Sequence, residues 1–187
     1  MAIPDTYLAL LNILADAFEH YEVATGHCPV LVGGGAVAVQ TQGAFMSGDL
    51  DLYAPSNAAL ENALLHSGFV REGRRSRLAG GFYHPEFPEY GVEAISGQLF
   101  DGRADKTRLI RVLFQDAKGI VIPSFEDMIA DRLGQYAASS ERDHSRLAQA
   151  QLLFRLAEDL DLRYLQIRIA DEGGDFDLLE GKEAGGV

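Results

Sequence analysis

The chain has 187 residues, 47% of them hydrophobic, which is enough to bury a sizeable core as one domain or two small ones. A formal net charge of −12 opposes broad adhesion to nucleic acid or anionic membranes and leaves only local basic patches for such contacts. The one cysteine, Cys28, excludes an intrachain disulfide, and no apolar run approaches the length of a membrane span. Together with an N-terminus interrupted by Asp16 and Glu19, this composition predicts a cytoplasmic protein with no membrane partner.

Residues 4–23 place Leu8, Leu11, Leu14, Ala15 and Phe18 at helical spacing, with Pro4 and Asp5 at the start. A turn follows at Thr25-Gly26-His27. His20 and His27 carry no ligand pattern and are read as surface residues, and Cys28 beside Pro29 is read as packing. Val30 to Val32 predicts a strand, closed by Gly33, Gly34 and Gly35, which permit backbone angles and close approaches that a Cβ would block. Ala36 to Gln40 predicts a short buried helix whose free N–H groups point back over the glycines. The chain then returns through Met46-Ser47-Gly48 into Asp49-Leu50-Asp51-Leu52. Strand residues two apart share a face roughly 6–7 Å apart, so Asp49 and Asp51 project together while Leu50 and Leu52 enter the core. Two adjacent carboxylates repel unless a hard cation such as Mg²⁺ lies between them. An anion cradle facing a metal clamp is what a nucleoside triphosphate requires.

Helix 57–67 is expected to turn Leu60, Leu64 and Leu65 inward and to stop at Gly68. Phe69 and Val70 open a strand that runs into Arg71, Arg74, Arg75 and Arg77, the one dense positive stretch, read as a solvated hairpin or a phosphate contact. Gly81 to His84 predicts a strand and residues 85–89 a proline-punctuated loop. Tyr90 to Ser96 alternates again, with Val92 and Ala94 set against Glu93 and Ile95. A glutamate in a central apolar strand is costly unless compensated, so Glu93 becomes a third carboxylate if this strand lies beside Asp49 and Asp51. Otherwise it is an edge residue facing solvent. A hairpin over Leu109–Phe114 and Gly119–Ile122 completes an α/β part, residues 1–122.

From Ser124 the period turns helical. Ser124 and Asp127 form a capping pair, and Phe125, Met128, Ile129, Leu133 and Tyr136 fall on one face. A second helix starts near Glu141-Arg142-Asp143 and a third covers 161–171. Residues 123–170 thus form a helical part, and the acidic, glycine-rich tail 171–187 is expected to be disordered. The fold class is α+β: a mixed sheet flanked by helices, then the helical part.

A Gly-Gly turn, a short helix and Asp-x-Asp on the next strand resemble the signature of the nucleotidyltransferase superfamily, the polymerase-beta-like fold. The resemblance implies that Gly33, Gly34, Gly35 and Ser47 hold a triphosphate such as ATP. It further implies that Asp49, Asp51 and Glu93 bind two Mg²⁺ ions, or Mn²⁺, for transfer to an RNA end, a protein or a small molecule. The stretch Glu126–Leu133 followed by Arg142-Asp143 resembles the helical part of abortive-infection-type members. By that likeness Arg132 contacts the phosphates, Asp143 orients or deprotonates the acceptor, and the chain is a toxin with a cognate antitoxin. Here the basic residue is Arg132 where such toxins commonly carry lysine. Two other readings stay open: an inactive member that only binds nucleotide or protein, and a dinucleotide site, because Gly33 to Ala38 also fits G-x-G-x-x-A. The triplets Asp159/Asp161 and Asp175/Asp177 lack the glycine context and are set aside.

Overall fold

The computed structural model describes residues 2–73, 81–114, 118–139 and 143–180. Its chain divides into two compact units: Met1–Gln98 with Leu109–Pro123, and Leu99–Arg108 with Ser124–Val187.

The first unit is built on a five-stranded mixed sheet. Helix α1 (Asp5–Thr25) buries the expected stripe of Leu11, Leu14, Ala15 and Phe18 and ends on Gly26, whose φ of 71° satisfies the last turn. Strand β1 (Val30–Val32), helix α2 (Gly33–Gln40), β2 (Asp49–Tyr53), α3 (Asn57–His66), β3 (Val70–Arg71), β4 (Phe82–His84) and β5 (Phe87–Ile95) follow. The sheet order is β1-β2-β5-β4-β3, with β2 and β5 parallel and the other pairs antiparallel. β6 (Ile110–Leu113) and β7 (Gly119–Ile122) form the separate expected hairpin, and β7 lies against α1 and β1.

Several local expectations shift. Helix α2 starts at Gly33 rather than Ala36, so the glycines themselves form its first turn. In α3 Leu65 is 43% exposed, and Ala63 joins Leu60 and Leu64 inside because the buried stripe of a ten-residue helix is narrow. The loop predicted at 85–89 is shorter, since β5 begins at Phe87 and contains Pro88. Proline is tolerated there because the pairing to β2 starts only at Gly91. Ala94 is exposed, although Val92 is fully buried as expected. Of the arginine stretch, Arg71 pairs with Glu61, while Arg74, Arg75 and Arg77 lie outside the described residues.

The second unit packs α4 (Phe125–Ala138), α5 (His144–Leu156) and α6 (Leu162–Asp171). Ser124 caps α4 as its sequence predicts: its Oγ accepts from the Asp127 N–H at 3.1 Å and donates to Asp127 Oδ2 at 3.0 Å. The unit is tied through Asp127, which also accepts from Arg168 Nε at 2.7 Å and from the Tyr164 hydroxyl at 3.0 Å. Arg168 reaches on to Glu172 at 2.8 Å.

The expected boundaries move for a physical reason. Segment 99–108 belongs to this unit because its polar groups find partners here. The Asp105 N–H donates to the Tyr164 hydroxyl at 2.9 Å, Arg103 donates to the Asp171 carbonyl at 2.6 Å, and Arg108 pairs with Asp161 at 2.7 Å. The tail expected to be disordered instead folds a 3₁₀ turn at Phe176–Glu180. Leu179 is buried there, Phe176 packs edge-on against Phe154, and Gln151 donates to the Leu178 carbonyl at 2.8 Å. Residues 181–187 lie outside the described residues.

Gly134 marks a tight contact in the second unit: a Cβ there would stand 2.8 Å from Glu172 Cβ and 2.9 Å from the Glu172 carbonyl oxygen. Gly134→Ala is therefore expected to cost roughly 1–3 kcal/mol despite alanine's better helix propensity, measured by chemical denaturation.

Candidate active site

Strand β2 displays the alternation its sequence predicts: Leu50 and Leu52 are fully buried, Asp49 is exposed, and Asp51 and Tyr53 are half-buried. On one side Asp51 stands opposite Val32, the last residue before the glycines; on the other it stands opposite Glu93. Glu93 therefore occupies a central strand, and in a parallel pair its side chain leaves the sheet on the same face as Asp51.

The glycine turn presses directly on this carboxylate pair. Gly33 has a φ of 62°, and a Cβ on it would collide with Asp51 Oδ2. A Cβ on Gly34 would lie 2.7 Å from Ser47 Oγ and 2.9 Å from Ser47 Cβ, and one on Gly35 would lie 2.8 Å from Leu31 and 2.9 Å from Leu50. Ser47 is held by its own loop, donating to the Asp49 carbonyl at 2.8 Å. Val32 caps α2 without any side-chain hydrogen bond, so no side chain of the cap takes up the first N–H groups of the helix. Gly33, Gly34, Ser47, Asp49, Asp51 and Glu93 thus form one constellation within the first unit.

Burial, followed by the charges of Asp51, Asp49 and Glu72, pushes the Glu93 carboxyl above its ordinary value. Glu72 is a residue the sequence analysis did not single out. Its N–H donates to the Gly81 carbonyl at 2.9 Å, and the strand register sets Gly81 between Glu72 and Glu93. No local pattern marks Glu72, because only the alignment of β3, β4 and β5 brings it near Glu93. Among the described residues, no group of three or more His, Cys, Asp or Glu side chains is placed to hold a metal ion. The donors nonetheless suit Mg²⁺, which is ordinarily held by one or two carboxylates together with substrate phosphates.

The raised Glu93 value has a consequence for stability. A carboxyl that ionises later in the folded chain than in the unfolded one loses stability as pH rises through its folded value. The strain is absent below the ordinary carboxylate range and present above it. Glu93→Gln should therefore raise the melting temperature of metal-free protein at neutral pH and leave it unchanged near pH 3.

The two site residues from the helical part belong to the second unit. Arg132 is 2% exposed and its guanidinium pairs with the neighbouring Asp131. Asp143 caps α5, its Oδ1 accepting from the Ser145 N–H at 3.0 Å and the Ser145 hydroxyl at 2.6 Å, and these bonds lower its carboxyl value. Arg142 lies outside the described residues. Cys28, half-buried, is pushed up to about 11, chiefly by burial, which fits packing rather than nucleophilic chemistry. No helix among the described residues is long and apolar enough to cross a membrane.

No protein-family model and no curated protein matches the sequence. Solved structures do match. The antibiotic-resistance factor ANT(2″)-Ia in solution superimposes with a TM-score of 0.57 at 11% identity, covering 93% of this chain and 96% of that one. An antigenic nucleotidyltransferase-like protein from Paracoccidioides brasiliensis gives 0.57 at 15% identity over 91% and 88%. ANT(2″)-Ia in complex with adenylyl-2″-tobramycin gives 0.56 at 13% identity over 90% and 96%. The chain, with its mixed sheet and helical second unit, has the fold of the nucleotidyltransferase superfamily.

Proposed function

We propose that the chain is an enzyme that transfers an NMP group from a nucleoside triphosphate, such as ATP, to a hydroxyl acceptor. The observation that carries this reading is the packing of the Gly33–Gly34 turn onto Asp51 and Ser47, with Glu93 in register beside Asp51. A glycine turn that opens a helix offers N–H groups to phosphate oxygens, and the row of carboxylates next to it offers oxygen ligands to a hard cation.

Asp49 and Asp51, with the substrate phosphates and with Glu93 as the third carboxylate of the resemblance, would hold Mg²⁺ or Mn²⁺, two ions in all; when bound, the metal would neutralise charge on the phosphates and make the acceptor hydroxyl more acidic. The N–H groups of Gly33, Gly34 and Gly35, with the Ser47 hydroxyl, bind the polyphosphate. The helical resemblance alone would assign Arg132 to the phosphates and Asp143 to the acceptor proton. The acceptor is an RNA end, a protein hydroxyl or a small molecule. The fold shared with ANT(2″)-Ia, whose complex holds adenylyl-2″-tobramycin, supports the last of these. A toxin role with a cognate antitoxin rests on the sequence resemblance alone.

Thermal shift with ATP, CTP, GTP and UTP tests the reading. Stabilisation by at least one triphosphate is expected with Mg²⁺ and is expected to vanish with EDTA. A shift with NAD and none with any Mg²⁺–triphosphate would favour the dinucleotide site instead. Gly34→Ala should weaken triphosphate binding at least about tenfold, because its new methyl group forces Ser47 out of the cradle. The same titration of the variant reads this loss.

A further inference from the structure

A third side chain shares the face of β2 that carries Asp49 and Asp51. Tyr53 stands one strand step beyond Asp51 and is half-buried. Its parallel partner on β5 is Ile95, two residues past Glu93 and also half-buried. Along this face the order is Asp49, Asp51, Tyr53, with the Ser47 loop preceding Asp49.

The glycine turn is not centred on that series. Gly34 abuts Ser47 and Gly33 abuts Asp51, so the N–H cradle lies toward the N-terminal end of β2. The next step rests on the transferase reading above. With the polyphosphate at the glycine end, the α-phosphorus lies over the aspartate pair. In-line displacement requires the entering oxygen to approach opposite the leaving pyrophosphate. The entering hydroxyl therefore comes from the Tyr53 end of the strand.

We propose that the Tyr53 ring, backed by Ile95, is the platform on which the acceptor lies, and that the acceptor is an alcohol with a flat apolar face next to its reacting hydroxyl. A tyrosine ring held by a strand offers such a face a stacking contact and loses little side-chain freedom. In the transfer the alcohol oxygen bonds to the α-phosphorus while the bond to the bridging oxygen breaks. Pyrophosphate leaves with that electron pair, and the alcohol proton passes to the general base of the proposed reaction.

The test uses the full chain with Mg²⁺ and α-labelled ATP and offers two alcohols at equal concentration, 2-phenylethanol and glycerol. The readout is the ratio of the two AMP esters, which does not depend on how much of a variant is folded. The wild type should favour the phenylethyl ester by about fivefold or more. Tyr53→Thr, a strand former without a ring, should bring the ratio close to that of the uncatalysed alcohols, and Tyr53→Phe should keep it. A wild-type ratio without preference, or an unchanged ratio in Tyr53→Thr, overturns the proposal. An unchanged ratio accompanied by a higher KM for ATP would assign the ring to the nucleotide instead. Failure of the transferase reading looks different: the wild type would release no AMP product of any kind, and this inference would fall with it.

Discussion

Asp51→Asn is expected to lower Mg²⁺-dependent NMP transfer by about 100- to 1,000-fold, measured as labelled product from α-labelled ATP. The substitution keeps the shape of the side chain beneath Gly33, where no extra atom can fit. It removes one negative charge from a group in which Asp51, Asp49 and Glu72 all act on Glu93. Metal-free Asp51→Asn should therefore melt no lower than the wild type, while its stabilisation by Mg²⁺–triphosphate should disappear. Full transfer by this variant would exclude the aspartate pair as the metal clamp. A melting temperature well below that of the wild type would mean that Asp51 holds the fold rather than the cation.

The largest stability effect is expected in the other unit. Arg168 and Asp127 are each 1% exposed at the side chain and meet at 2.7 Å. Removing either partner alone leaves an uncompensated charge in the interior, at a cost of roughly 3–5 kcal/mol. Arg168→Met should thus lower the denaturation midpoint sharply. The double variant Asp127→Leu with Arg168→Met should recover part of the loss, because it also removes the orphaned carboxylate. Equal loss in the single and double variants would show that packing, not charge pairing, is what Arg168 provides.

Much of the first unit could be read from local pattern. The alternation Asp-Leu-Asp-Leu fixes which face of β2 enters the core, and the three glycines fix where the backbone must come close. Glu93 could be singled out because a charge in an apolar strand needs a reason. Glu72 could not, since its nearness to Glu93 depends on β3, β4 and β5 lying side by side with Gly81 between them. The same limit explains the second unit. Asp127 and Arg168 are 41 positions apart, and nothing in a 3.6-residue period joins them. Segment 99–108 has turn-rich composition, yet Arg103, Asp105 and Arg108 find their partners on α6 and its flanks. The acidic tail misled in another way: its low apolar content hid Phe176 and Leu179, two residues sufficient to seat a short turn.

The path of the chain has a consequence for synthesis and for any attempt to shorten the protein. A fragment ending at Gln98 would contain every strand of the five-stranded sheet and still lack β7, which lies against α1 and β1 and arrives only with Gly119–Ile122. On the ribosome, the first unit should therefore resist protease only after residue 122 has emerged from the exit tunnel. A piece beginning at Ser124 would in turn be born without Arg103 and Arg108, and truncation at either border should yield an aggregating product rather than an autonomous module.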